Sequence, residues 1–192
     1  MSFKLISPGE FKSLAWKNGK GMTRELICGY RPGDDLFAWR LSMAPVLSDG
    51  VFSDFSGYQR HLILIEGGGI SLNYAEGGGD HLSQRFDCAH FDGGCKTTAI
   101  LHNGAITDFN IMTRRDVCTA EVFILQGSKD VLVQSAAAWL LHYALDSDTR
   151  VTRPDSDPIN LNLGHLLQVP DPGKGTWRVT GAASICVLIR WV

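Results

Sequence analysis

Between Trp16 and Glu25 the chain reads Trp-Lys-Asn-Gly-Lys-Gly-Met-Thr-Arg-Glu. This decapeptide crowds an indole, two ammonium groups, a carboxamide, a guanidinium and a carboxylate around two glycines. Such a mixture is costly to hold together unless its polar groups satisfy one another or a ligand. Three further rows follow the period of two expected of a strand: Arg40 with Ser42, then Arg60 to Glu66 through Leu62 and Leu64, then Asp108, Asn110, Met112 and Arg114. Guanidiniums set in such rows can grip a carboxylate through paired N–H bonds. Trp16 or Trp39 can wall a planar ring beside them. Facing solvent, the same rows would carry only weak surface ion pairs.

Other chemistries find less support. Gly-x-Ser-x-Gly is missing, and no cysteine stands among cationic neighbours. Gly173-Lys174-Gly175-Thr176 lacks the upstream glycine and the succeeding helix of a phosphate loop, because the residues after it are strand-like. The glycine triplets 67–69 and 77–79 read as hairpin turns. His61, His81, His90, His102, His142 and His165 are never closer than nine positions. They read as loop or hydrogen-bonded surface residues, and no metal or other cofactor is expected.

The elements that must position these groups are mainly strands. Ser7-Pro8-Gly9-Glu10 fits a capping box and predicts a helix of two or three turns, on which Trp16 could act as a staple. Strands are then predicted at Phe37–Met43, Arg60–Ile65, Ile70–Ala75, Thr97–Leu101, Thr107–Met112, Ala120–Leu125, Val131–Gln134, Trp139–Ala144, Leu163–Val169, Trp177–Thr180 and Ile185–Trp191. Short strands separated by glycine turns point to a sandwich or small barrel. A pause at Arg114–Cys118 suggests two halves, residues 1–115 and 116–192.

Composition narrows the partners. The 192 residues are 44% hydrophobic and 20% charged, with a formal charge of -2, an ordinary globular balance. The chain lacks the basic footprint of a nucleic-acid binder and the basic helix of a membrane-surface protein. With no apolar leader and five scattered cysteines, a reducing cytoplasm is expected.

Four blocks in order resemble the HutD/Ves family. These are Trp16-Lys17-Asn18-Gly19 with Gly21, Thr23, Arg24 and Glu25; then Trp39-Arg40-Leu41-Ser42, with Asp49-Gly50-Val51-Phe52-Ser53, Phe55, Gly57-Tyr58 and Arg60 through Leu64, Glu66 and Gly67; then Phe91-Asp92-Gly93; and finally Asp108-Phe109-Asn110-Ile111-Met112-Thr113-Arg114-Arg115. The resemblance implies an all-β, cupin-like double-stranded β-helix (a jelly-roll barrel), duplicated as two packed halves. It also implies a bacterial cytosolic protein, linked on the HutD side to restraint of histidine utilisation and on the Ves side to stress.

The expected function is therefore non-catalytic: sensing an acidic metabolite of amino-acid (histidine) catabolism and modulating that pathway. The expected binding residues are Trp16, Lys17, Asn18, Arg24, Glu25, Trp39, Arg40, Ser42, Arg60, Glu66, Asp108 and Asn110. Two alternatives stand beside it. One is a metal-independent enzyme in which Glu25, Glu66 or Asp108 acts as general acid or base on a small carboxylic acid. The other is a partner-binding stress protein that forms a homodimer.

Overall fold

The computed structural model describes residues 2–16, 21–133, 136–154 and 156–192. Strand β1 (Lys4–Ile6) is followed by β2 (Lys12–Ala15), β3 (Met22–Tyr30), β4 (Phe37–Val46), β5 (Gly50–Val51) and β6 (Tyr58–Gly67). Next come β7 (Ile70–Tyr74), β8 (Gly79–Leu82), β9 (Cys88–Asp92), β10 (Thr97–Leu101) and β11 (Ile106–Arg114). The remainder is β12 (Cys118–Gln126), β13 (Lys129–Val133), β14 (Trp139–Ala144), β15 (Thr149–Thr152), β16 (Ile159–Leu161), β17 (Leu166–Pro170), β18 (Gly175–Thr180) and β19 (Ala183–Trp191). The fold is all-β and cupin-like, as expected. No helix of the described residues is long and apolar enough to cross a membrane.

Contacts divide the chain into two compact units, residues 12–117 and residues 1–11 with 118–192. Residues 1–11 therefore fold with the C-terminal strands, because β1 pairs antiparallel with β17. The helix predicted after Ser7 is a single 3-10 turn, Pro8–Glu10. Its capping chemistry is present, with the Ser7 N–H donating to Glu10 Oε2 at 2.9 Å. The chain then leaves directly into β2, so Trp16 has no helix to staple.

In the unit of residues 12–117, a six-stranded sheet of order β2-β3-β4-β11-β6-β9 is joined by a four-stranded sheet of order β5-β10-β7-β8. The triplet 77–79 is the predicted hairpin between β7 and β8, with Gly77 and Gly78 at positive φ. The triplet 67–69 is different. β6 pairs with β11 and β9 and not with β7, so this triplet carries the chain from one sheet to the other. Leu62, Leu64, Leu72, Ala89, Phe91 and Ala99 form the apolar core of this unit.

The other unit joins β1-β17-β14-β19-β12 to β13-β18-β15-β16. Its interior is packed with aliphatic side chains around Trp177. One register row, Phe123, Cys186, His142 and Leu167, crosses four strands. In that row His142 is fully buried, with Nε2 3.1 Å from Thr149 Oγ1. Burial lowers its imidazole to about 4.

Candidate functional site

In the unit of residues 12–117, three adjacent strands present a grid of side chains toward the interior. Because register partners share a face, β4, β11 and β6 contribute Arg40, Met112 and Arg60 to one row. Ser42, Asn110 and Leu62 form the next row, and Ala44, Asp108 and Leu64 the third. The polar members of this grid wall a partly open cavity of about 850 Å³, lined on other sides by Trp16, Thr23, Val46 and the segment 48–55. The polar rows thus face an interior, not bulk water, and the volume suits a small organic ligand.

The guanidiniums are the unusual feature. Arg60 is only 5% exposed; its Nη2 donates to Asn110 Oδ1 at 2.7 Å, and its buried Nε–H has no partner. Arg40 Nη2 reaches Met112 Sδ at 3.4 Å, and its buried Nε–H is also unpartnered. Burial lowers Arg60 to about 10, where it remains charged at neutral pH, and nearby Arg40 pushes the same way while Asp108 opposes. Arg40 is lowered by burial as well, with Glu25 pulling it back. Aromatic faces lie against both charges: Phe55 is 5.1 Å from Arg40 Cζ and 5.6 Å from Arg60 Cζ, and Phe52 and Phe91 also flank Arg60.

Asp108 completes the polar run. It is 2% exposed, and the Asn110 amide nitrogen donates to its Oδ1. Burial pushes its carboxyl up to about 7 against the attraction of Arg60 and the hydrogen bonds from Asn110 and the backbone at Ala44. Arg60, Asn110 and Asp108 therefore form a chain in which one carboxamide separates a cation from a near-neutral carboxyl.

Trp16 does line the cavity. Its Nε1 donates to Thr23 Oγ1 at 2.8 Å, and its ring lies so close to Gly21 that a Cβ there would meet it at 2.9 Å. Arg40, Ser42, Arg60, Asp108 and Asn110 are gathered around the same space. Glu25 is the register partner of Ser42 and acts on Arg40, with Lys12 Nζ at 3.9 Å, but it does not line the cavity. Lys17 and Asn18 lie outside the described residues.

Three expected site residues stand elsewhere. Trp39, expected as a wall of the pocket, occupies the opposite face of β4. It is buried against Gly29, where a Cβ would come within 2.2 Å of the indole. Arg24 is exposed and pairs in register with Met43, on that same far face. Glu66 is turned out by a bulge: Thr107 pairs with Glu66 but Asp108 with Leu64, leaving Ile65 as the extra residue. Its carboxylate accepts a bond from Thr107 Oγ1 at 3.1 Å.

Phe52, Phe55 and Met112 are additions to the expected set, although all three lie inside the family motifs. The motif Phe91-Asp92-Gly93 explains how Phe55 is held. The Phe55 N–H donates to Gly93 O and the Gly93 N–H to Tyr58 O, both at 2.8 Å, and a Cβ on Gly93 would meet Phe55 O at 2.7 Å. Asp92 also pairs with Arg115, tying this turn to the end of β11.

The histidines lie apart from the cavity. His61 stacks on His90 with centroids 4.1 Å apart, while His81 and His102 both bond Ser71 Oγ. Among the described residues, no three His, Cys, Asp or Glu side chains converge as a metal-binding group.

The HutD family profile matches residues 9–187. An uncharacterised 21.2 kDa protein in the hutC 3′ region of Pseudomonas putida is 30% identical over 166 residues, 86% of each chain. Protein Ves of Citrobacter koseri is 37% identical over 134 residues, 66% of this chain and 69% of its own. The structure of HutD from Pseudomonas fluorescens SBW25 in a formate condition superposes with a TM-score of 0.86 at 25% identity, covering 100% of both chains.

Proposed function

Since this chain belongs to the HutD family, we propose that it is a non-catalytic receptor for a small carboxylic acid. In this reading the cavity walled by Arg40, Arg60 and Asn110 senses an acidic metabolite of amino-acid catabolism, histidine catabolism in particular, and modulates that pathway. The observation that carries the reading is Arg60, a buried guanidinium at the cavity wall whose Nε–H has no protein partner. A buried cation bonded to a single neutral carboxamide is costly, and a ligand carboxylate would pair with it. Phe55 and Trp16 would cover the ligand's apolar part. The formate condition of the Pseudomonas fluorescens HutD structure makes formate a natural first probe.

Thermal melting with formate, glutamate, formylglutamate, formiminoglutamate and urocanate tests the reading. An acid that binds only the folded chain adds about 2.7 kcal/mol of stability at a hundred times its dissociation constant. A selective rise with one of them is expected, and no rise with any would sink the reading. Asp108 favours a second reading, general acid–base catalysis on the bound acid, because its carboxyl sits near neutrality in the same cavity as the arginines. Proton NMR of the ligand during prolonged incubation separates the two: an unchanged spectrum is expected of a receptor, and new resonances of an enzyme.

A further inference from the structure

We propose that the cavity takes up its anion together with one proton, which Asp108 holds while Arg60 is occupied by the ligand. The inference rests on the carboxylate-binding reading and adds how that site is regulated. Asp108 is buried in the cavity wall, and among the described residues no Lys or Arg pairs directly with it. What keeps it ionised is Arg60, one carboxamide away through Asn110, together with the hydrogen bonds from Asn110 and the Ala44 backbone.

The charged surroundings are few. Arg40 on β4 stands beyond Met112 in the grid and weighs on Arg60, while Glu25 on β3 weighs on Arg40. Asp49 and Asp54 on the 48–55 segment are exposed and already bonded, Asp49 to the Leu101 N–H and Asp54 to Ser56. On the other sheet Tyr74 is tied to Asp80 and acts on Arg60. From β6 the register partner is Leu64, which carries no charge.

An anion seated against the Arg60 guanidinium at the cavity wall cancels the attraction that Asp108 depends on and adds a like charge nearby. Both effects favour the protonated carboxyl. Because Asp108 starts near neutrality, the added push moves it from mostly ionised to protonated at slightly alkaline pH. The proton comes from solvent, and the neutral carboxyl gains an O–H donor that it can turn toward the ligand. By linkage, anion affinity then falls as pH rises above about 7.

Isothermal titration with formate, and separately with L-glutamate, tests this at pH 7.5 in buffers of different ionisation enthalpy. The expected result is uptake of about half to three-quarters of a proton per site, with affinity falling up to about tenfold between pH 7.5 and 8.5. In Asp108→Asn the uptake should vanish, and whatever affinity remains should be flat over that range. Binding without uptake, or uptake that survives in Asp108→Asn, overturns the inference and leaves the carboxylate reading standing. No binding of either acid at pH 6 or 7.5, and no melting shift with the other acids, removes the carboxylate reading and this inference with it.

Discussion

Arg40 and Arg60 are register partners of one residue, Met112, approached from opposite edges of β11. Two cations are thus set on one interior row, and each retains an unpartnered buried Nε–H. Burial and mutual repulsion make this arrangement unfavourable for the empty protein. Such a conflict between local stability and arrangement is characteristic of a site kept for binding.

Arg60→Met should therefore separate binding from folding. The variant is expected to fold with a melting temperature close to that of the parent, because removal of a desolvated charge offsets the loss of its hydrogen bond to Asn110. Acid affinity should fall about ten- to a hundredfold, the scale of a charge-assisted hydrogen bond worth about 1.5–3 kcal/mol. Circular dichroism melts with and without ligand read both effects; a variant that fails to fold would make Arg60 structural.

Gly93→Ala tests how Phe55 is held. The new methyl would press on Phe55 O, and overpacking against backbone costs about 1–3 kcal/mol. Urea midpoints should drop by that free energy divided by the m-value. Acid affinity should drop as well, since Phe55 lies against both guanidiniums. Unchanged affinity would show that the ring does not cover the ligand.

Gly29→Ala is the matching control on the far face of the sheet. Its Cβ would collide with the Trp39 indole, so a loss of about 2 kcal/mol or more is expected. Affinity per folded molecule should stay unchanged, because Trp39 does not line the cavity. Titration well below the melting temperature decides it.

His142 governs acid stability in the unit that contains it. Its imidazole is lowered to about 4 by burial, below the ordinary value near 6.5. Its neutral burial therefore supports folding fully above pH 6.5, and that support is lost as pH falls from 6.5 toward 4, by about 3 kcal/mol. His142→Gln should remove that slope and leave the opposing contribution of Asp108, so that denaturation midpoints rise as pH falls from 7 to 4.5.

Asp108 slopes the other way. A carboxyl raised to about 7 favours the folded state below pH 4, and that contribution declines as pH rises from 4 to 7. The two slopes oppose each other over much of one window, so the parent should look nearly pH-independent there. Asp108→Asn should unmask the His142 slope, with stability rising from pH 4.5 to 7 more steeply than in the parent.

Much of the site is legible in the sequence because the strand period survives across it. Arg40 with Ser42, and Asp108 with Asn110, lie two apart on strands that run regularly through those positions, so each pair shares a face. Glu66 escapes the pattern because the Ile65 bulge breaks the period between Leu64 and Glu66, and a single inserted residue leaves no compositional mark. Trp39 obeys the alternation, which already puts it opposite Arg40, and only its aromatic chemistry joins it to the expected site. Phe55 sits in a segment without periodicity, and its position depends on Gly93, 38 residues later in the numbering. Short strands such as β2, β8, β15 and β16 pass unseen for a related reason: three or four residues are too few to show a pattern. The early helix does not form because good capping chemistry needs an apolar face behind it, and the residues after Glu10 supply a strand instead.

β11 is hydrogen-bonded to β4 on one edge and to β6 on the other along nearly its whole length. Asp108, Asn110 and Met112 hang from that doubly secured strand. Their amides should be among the slowest in the protein to exchange with deuterium, opening only when the whole unit does. Binding an acid should then slow exchange mainly in the 48–55 segment, while the floor beneath it was rigid before the ligand arrived.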